Sequence, residues 1–244
     1  MLSLMYIQII AIIIFALLAA QPAAAQLFDT FKKQVEKIAG NPSEFSEREA
    51  ADAIKEALTK GVVKGTEILA KTDGYLKNPD IAITWPAEAK KVETTLRNIG
   101  LGKQVDEAAV ALNRAAEDAA AVAKDIFISA IRDMTLQDAI NIVKGENGAA
   151  TAYLRKTTAA SLTQKFTPII RASLEKTHAV RYWETAFNSY NKIPFAEKIN
   201  PNLTEYTTTK ALDGLFYMIS REELEIRKNP AARASELLKK VFGK

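Results

Sequence analysis

The chain has 244 residues, with 33 Lys and Arg against 29 Asp and Glu, one His and no Cys, for a net charge of +4. The absence of Cys excludes disulfides, Cys-ligated zinc, iron–sulfur clusters, a thiol nucleophile and a lipidated Cys, and a single His excludes a His-rich metal site. Charge this dilute and this interleaved argues against nucleic acid as a partner, and an apolar fraction of 48% argues against disorder.

Residues 1–25 carry no charged side chain, and an apolar run from Ile9 to Ala20 is followed by Pro22 and Ala23-Ala24-Ala25-Gln26. Small residues at Ala23 and Ala25 fit an A-x-A peptidase site, so the expectation is a signal peptide cleaved before Gln26 and a protein that is periplasmic or secreted. The stretch from Met1 to Ala20 is also about the ~20 residues that span a bilayer. An uncleaved anchor in the inner membrane is the competing reading, and only then would the protein touch a membrane.

After the leader the apolar period is helical nearly throughout. Phe28, Phe31, Val35 and Ile38 mark a first short helix, closed by Gly40-Asn41-Pro42. Ser46 with Glu49 forms a capping box for a helix that buries Ile54, Ala57, Leu58, Val62 and Leu69. Within it, Gly61 and Gly65 allow close approach of a neighbouring backbone. Asp73-Gly74 and Asn78-Pro79-Asp80 are turns, with Gly74 expected at positive φ. Ile81, Ile83 and Trp85 then alternate with small or polar residues, an extended strip expected to lie over the core.

Pro86 opens a helix through Val92, Leu96 and Ile99 that closes at Gly100 and Gly102. A long Ala-rich helix is expected from about Lys103 to Met134, surrounded by the others, because small residues let helices approach closely. Thr135 with Asp138 resembles a capping box for a short helix that stops at Gly145. Another begins near Gly148 and carries Tyr153 and Leu154. The next holds Leu162, Phe166, Ile169, Ile170 and Leu174, and Pro168 inside it is expected to kink it or start a new one. Tyr182, Trp183, Phe187 and Tyr190 make an aromatic face read as core. Asn202 with Glu205 caps a helix to about Lys228, and Asn229-Pro230 starts the last one. The prediction is all-α: one compact domain over residues 26–244, with about seven to nine helices.

Particular strings carry a family resemblance. They include Ala57-Leu58-x-x-Gly61, Asp73-Gly74-Tyr75 with Asn78, Leu112-Asn113-Arg114-Ala115-Ala116-Glu117, and Met134-Thr135-x-x-Asp138-Ala139. They continue with Ala149-Ala150-Thr151-x-Tyr153-Leu154-Arg155-x-x-Thr158, Phe166-x-Pro168-Ile169, and Lys210-Ala211-Leu212-Asp213-Gly214-Leu215-Phe216. The end adds Ile226-Arg227-x-Asn229-Pro230 and Leu237-Leu238-Lys239-Lys240-Val241-Phe242-Gly243. Together, over about residues 45–243, the chain resembles the bacterial family of domain of unknown function 4197. The resemblance implies an exported, mostly helical protein and brings no activity with it. Thr84-Trp85-Pro86 stands where the pattern has Leu-Pro, and Leu154 where it has an aromatic residue.

Three polar clusters sit on otherwise apolar helices. Arg114 and Glu117 are an i,i+3 pair, with Asn113 four residues before Glu117; Lys210 and Asp213 are a second i,i+3 pair; Tyr153 and Arg155 are the third. Read functionally, these seven residues form one pocket for an anionic or polar ligand. Read structurally, they are a buried network that fixes helix crossings, and this is the preferred reading. Asp106, Glu107, Glu117, Asp118 and Asp213 offer carboxylates for acid–base work, but no spacing marks a pair. No catalytic motif of the common hydrolase, metalloprotease or phosphate-loop kinds is present, and His178 reads as a solvated helix-end residue. The sequence indicates no cofactor. The functional expectation is a non-enzymatic exported protein that binds a small molecule or an envelope protein. The alternatives are a carboxylate-dependent envelope hydrolase or lyase, and a membrane-anchored assembly factor.

Overall fold

The computed structural model describes residues 47–177, 183, 184, 187, 188, 190–192, 194, 198 and 202–228. The leader, the first short helix, Ser46 of the expected capping box, His178, Tyr182 and the last helix lie outside the described residues. Contacts divide the chain into Met1–Glu47 and Arg48–Lys244, and the second unit is the one described here.

Every regular element among the described residues is helical. They are α1 (Glu47–Leu69), a 3₁₀ turn (Ala87–Ala89), α2 (Lys90–Asn98), α3 (Gly102–Ala120), α4 (Ala123–Arg132), α5 (Leu136–Lys144), α6 (Ala149–Glu175) and α7 (Leu203–Lys228). The all-α expectation is met. None of these helices is long and apolar enough to cross a membrane.

The core is organised by α6, which packs against α3, α4, α5 and α7. Its buried residues are Ala150, Leu154, Thr158, Leu162, Phe166, Ile170 and Leu174, each four after the last. A spacing of four overshoots the helical turn by about 40° per step. The buried stripe therefore winds around the helix, and successive turns meet different neighbours. The Ala-rich α3 shares the centre, burying Leu112, Ala115, Ala116, Ala119 and Ala120.

Three local expectations need correction. The long Ala-rich helix is two. At Ala121–Val122 the ladder tightens, with the Val122 N–H donating to the Ala119 carbonyl three residues back, and α4 sets Phe127 edge-on to Phe216 at 5.8 Å. Conversely, the helix expected from near Gly148 and the next one, through Leu162 to Leu174, are one, and Pro168 starts no new helix. Pro168 is exposed, so the carbonyl its ring cannot serve, that of Gln164, faces water and the helix runs on. Gly74 is not at positive φ. Asp73 takes the left-handed position, at φ 71°, and Gly74 is needed for space: a Cβ there would stand 2.4 Å from the Ile68 carbonyl oxygen.

Other expectations hold. Thr135 and Asp138 form a complete capping box, and the Asn202 side chain accepts the Glu205 N–H at 3.0 Å. A Cβ on Gly61 would lie 3.3 Å from the Glu222 Cβ, and one on Gly65 3.4 Å from Ile219 Cδ1, so these glycines do let α1 and α7 close together. Trp183 and Phe187 are buried in the core.

Candidate functional site

The segment between α1 and α2 is stitched to α3 by side chains. Asn113 is buried and turns its amide onto one residue of the strip: its oxygen accepts the Ile83 N–H at 2.8 Å, and its Nδ2 donates to the Ile83 carbonyl at 2.8 Å. Four residues on, the Glu117 carboxylate accepts the N–H groups of Tyr75 at 3.1 Å and Leu76 at 3.2 Å. Arg114 lies between, donating to Glu117 at 2.6 Å and to Asp73 at 2.7 Å.

The electrostatics follow from these contacts. Hydrogen bonds from Lys77 and then Arg114 hold the Asp73 carboxyl below its usual value. The bonds to Glu117 and then Asp73 raise Arg114 further. Burial, and then the Glu117 charge, pushes the Tyr75 hydroxyl up. That hydroxyl donates to the Ala211 carbonyl of α7 at 2.7 Å, and its ring occupies the space a Cβ on Gly214 would need, at 2.7 Å. Every polar group of this knot is engaged by the chain itself, and Glu117 is only 4% exposed. A substrate has no access to that carboxylate.

The outer side of the same strip faces α7. The Tyr206 hydroxyl donates to the Thr84 carbonyl at 2.6 Å, and the Tyr217 hydroxyl to Asp80 at 2.8 Å. Between the strip and α7 lies an open groove of about 980 Å³, lined by Asp80 to Glu88, Trp183, Lys198, and Glu205, Tyr206, Thr209, Lys210, Asp213, Gly214 and Tyr217. Part of its lining is aromatic. Trp85 and Trp183 have ring centres 4.9 Å apart, Trp183 stacks on Tyr206 at 5.8 Å, and Phe187 packs on Trp183 at 4.3 Å. Burial, and then the charge of Glu88, pushes the Tyr206 hydroxyl up to about 12. The Trp183 indole nitrogen is the one buried side-chain polar atom among the described residues that lacks a hydrogen-bond partner.

The seven residues singled out in the sequence thus go to three places. Asn113, Arg114 and Glu117 make the knot. Lys210 and Asp213 line the groove, with the Lys210 ammonium 6.0 Å from the Tyr206 ring centre. Arg155 reaches Asp213 at 3.3 Å and lies over the Phe216 ring at 4.4 Å. Tyr153 is half-buried on α6, where burial, and then the charges of Asp138 and Asp133, raise its hydroxyl. Among the described residues, no cluster of three His, Asp or Glu side chains is placed to hold a metal ion.

Sequence reasoning missed a second closed centre. Glu223 of α7 is 5% exposed. Its carboxylate accepts the N–H groups of Gly148, Ala150 and Thr151 and the Thr151 hydroxyl, all within 3.2 Å. It thereby caps the start of α6. Arg227 donates to the same carboxylate at 2.9 Å and to the Ile142 and Gly145 carbonyls at the end of α5. The available signal was the start of α6 itself: Gly148-Ala149-Ala150 supplies no capping side chain, so the cap has to come from elsewhere in the fold.

The family model described as a protein of unknown function (DUF4197) matches residues 44–243. No curated protein and no solved structure matches the chain significantly. The match covers most of the chain, which belongs to this family.

Proposed function

We propose that this is an exported cell-envelope protein that binds a ligand or partner without transforming it, and that the groove between the Asp80–Glu88 strip and α7 is where it binds. The observation that carries the reading is Trp183. Trp183 lines the groove, and its indole nitrogen is buried without a partner among the described residues. A buried unpaired donor costs about 1–3 kcal/mol, and such groups are rare enough to require a reason. A ligand acceptor that completes the bond supplies one. Open concave shape, a partly aromatic lining and a few charged groups at the rim are also what small-ligand sites share.

Support for export comes from the charge-free first 25 residues and the Ala23-x-Ala25 pattern. Catalysis by the candidate carboxylates finds little support, since Glu117 is enclosed in its own network and Asp213 pairs with Arg155. The test is native mass spectrometry of the protein purified from its own host at natural abundance. The expected result is a chain beginning at Gln26 that carries a bound species. A bare chain in every preparation, together with tryptophan emission that no envelope fraction alters, would overturn the binding reading. An intact N-terminus in the membrane fraction would overturn the cleaved-leader reading.

A further inference from the structure

We infer that the groove takes an extended, basic peptide segment, laid along the strip at Ala82–Thr84 and held through main-chain hydrogen bonds. The inference rests on the groove being the binding site and adds the chemistry of what occupies it.

The argument starts from Asn113. In extended chain the N–H and C=O of one residue point to the same side, and those of its two neighbours point to the other. Asn113 engages both groups of Ile83, so one edge of the strip is closed. The side chains agree with an extended course: Ile81 and Ile83 are buried, while Thr84 is exposed and Ala82 half-exposed. The main-chain groups of Ala82 and Thr84 therefore belong to the opposite edge. Tyr206, reaching the Thr84 carbonyl from α7, shows that this edge is the groove side.

Four main-chain groups stand on that edge. Two are engaged, since the Ala82 N–H donates to the Asn78 carbonyl at 2.8 Å and the Thr84 carbonyl accepts from Tyr206. The Ala82 carbonyl and the Thr84 N–H have no partner among the described residues. In an antiparallel ladder these two groups are a widely spaced pair, one residue of the segment donating to Ala82 and the residue two positions earlier accepting from Thr84. A parallel strand uses the same two groups through a single residue. One of its residues donates to the C=O before the bracketed residue and accepts from the N–H after it. The Ala82 carbonyl and the Thr84 N–H are that pair, bracketing Ile83. Strand addition to an exposed edge is a common mode of peptide recognition.

Charge narrows the occupant. Among the described residues Asp80, Glu88, Glu205 and Asp213 line the groove against Lys198 and Lys210, with Arg155 paired to Asp213. An excess of carboxylates favours Lys or Arg in the segment, and the Trp85 and Tyr206 rings offer faces for their stems or for apolar side chains.

The chain has two tryptophans, and both belong to the groove's aromatic lining, so intrinsic emission reads this place alone. The probe is a set of pooled hexapeptides with blocked ends, Lys at both ends and Ala, Val, Ile, Leu or Thr between, titrated into the chain lacking its leader. The expected result is a saturable change in tryptophan emission. At saturation, amide-resolved hydrogen exchange should slow at Thr84 by about tenfold or more, a difference of ~1.4 kcal/mol. N-methylation of one central peptide residue should weaken binding by about tenfold, and methylation of its two neighbours should have less effect. Pools with Glu at the ends should bind more weakly. Unchanged Thr84 exchange at saturation, or equal binding of every N-methylated peptide, would overturn the inference. No response to any pool up to about 1 mM, a free energy of only ~4 kcal/mol, together with a response to a chito-oligosaccharide or to anionic phospholipid vesicles, would keep the groove as the site and remove the peptide. Silence from all of these probes and from the host's envelope extract would remove both.

Discussion

The knot around Glu117 and the groove beneath α7 use the same strip of chain from opposite sides. On the knot side, Asn113 satisfies Ile83, Glu117 satisfies Tyr75 and Leu76, and Arg114 joins Glu117 to Asp73. On the groove side, the Trp183 indole, the Thr84 N–H and the Ala82 carbonyl stand unmatched among the described residues. Buried polar groups in a native protein find partners, so a completed set points to architecture and the unpaired Trp183 indole to something the protein meets. By this criterion the most conspicuous polar cluster in the sequence, Asn113-Arg114-x-x-Glu117, holds the fold, and its strip presents the site.

The comparison breaks first where a closed centre is opened. Glu223→Ala removes one carboxylate from four donors at the start of α6 and from Arg227, itself largely buried. Breaking a buried pair in this way costs about 3–5 kcal/mol. The urea midpoint should fall accordingly, with hydrogen exchange accelerating first at Ala150 and Thr151. Asn113→Ala is the next largest. It leaves the Ile83 N–H and carbonyl buried without partners, at about 1–3 kcal/mol for each such group, or somewhat less in sum if the strip relaxes toward water. Because the same residue straightens the strip, tryptophan emission should change as well. A loss of stability with unaltered emission would separate the strip from the groove and undo the comparison.

A smaller, graded effect comes with acid. Asp73 is held below the usual carboxylate value by its bonds from Lys77 and Arg114, Glu93 by its bond from Lys90, and Asp138 by its bond from the Thr135 hydroxyl. Each of these groups has a folded value below its unfolded one. Their contribution is therefore fully present above the usual carboxylate range, near pH 4, and is lost as pH falls through it toward the folded values. Thermal midpoints taken from pH 7 to pH 3 should decline most steeply below about pH 4, and Asp73→Asn should flatten part of that decline. An equal slope in the variant would mean that the knot's outer ion pair is too well solvated to matter.

How much of this was legible in the sequence depends on where each partner lies. Helix class and most helix starts could be read because their determinants are local: Thr135 with Asp138, Asn202 with Glu205, and apolar residues at three and four. The break at Ala121–Val122 has no Gly or Pro to announce it, and the continuity through Pro168 depends on which face of α6 meets solvent, which only packing decides. Gly74 was marked as the positive-φ residue of its turn, but the left-handed residue is Asp73 and Gly74 is needed for space. The polar cluster on α3 could be seen to need partners. Those partners proved to be main-chain groups of Tyr75, Leu76 and Ile83, which carry no side-chain signature. Glu223 was invisible for a related reason, since its donors lie more than 70 positions earlier in the chain. The groove is a space between distant segments. The sequence supplied its walls, as the Ile81-Ile83-Trp85 strip and the Lys210–Asp213 pair, without bringing them together.

The smallest stability effect is the sharpest test of the comparison. Trp183→Phe keeps an aromatic ring in the stack with Trp85, Phe187 and Tyr206 and removes the unpartnered buried indole N–H. Two terms then oppose each other. The smaller ring leaves a void, which costs about 1 kcal/mol for a group of methyl size and more if the neighbours cannot close on it. Removing an unsatisfied N–H recovers about 1–3 kcal/mol. The net shift in the urea midpoint should be near zero or slightly stabilising, whereas the same replacement of a hydrogen-bonded buried indole would destabilise. Binding should move the other way. If the indole donates to the ligand, occupancy in native mass spectra of host-purified protein should drop, with affinity lower by about tenfold. A variant that loses stability and keeps its ligand would place Trp183 with the architecture, and the groove would lose the feature that sets it apart from the knot.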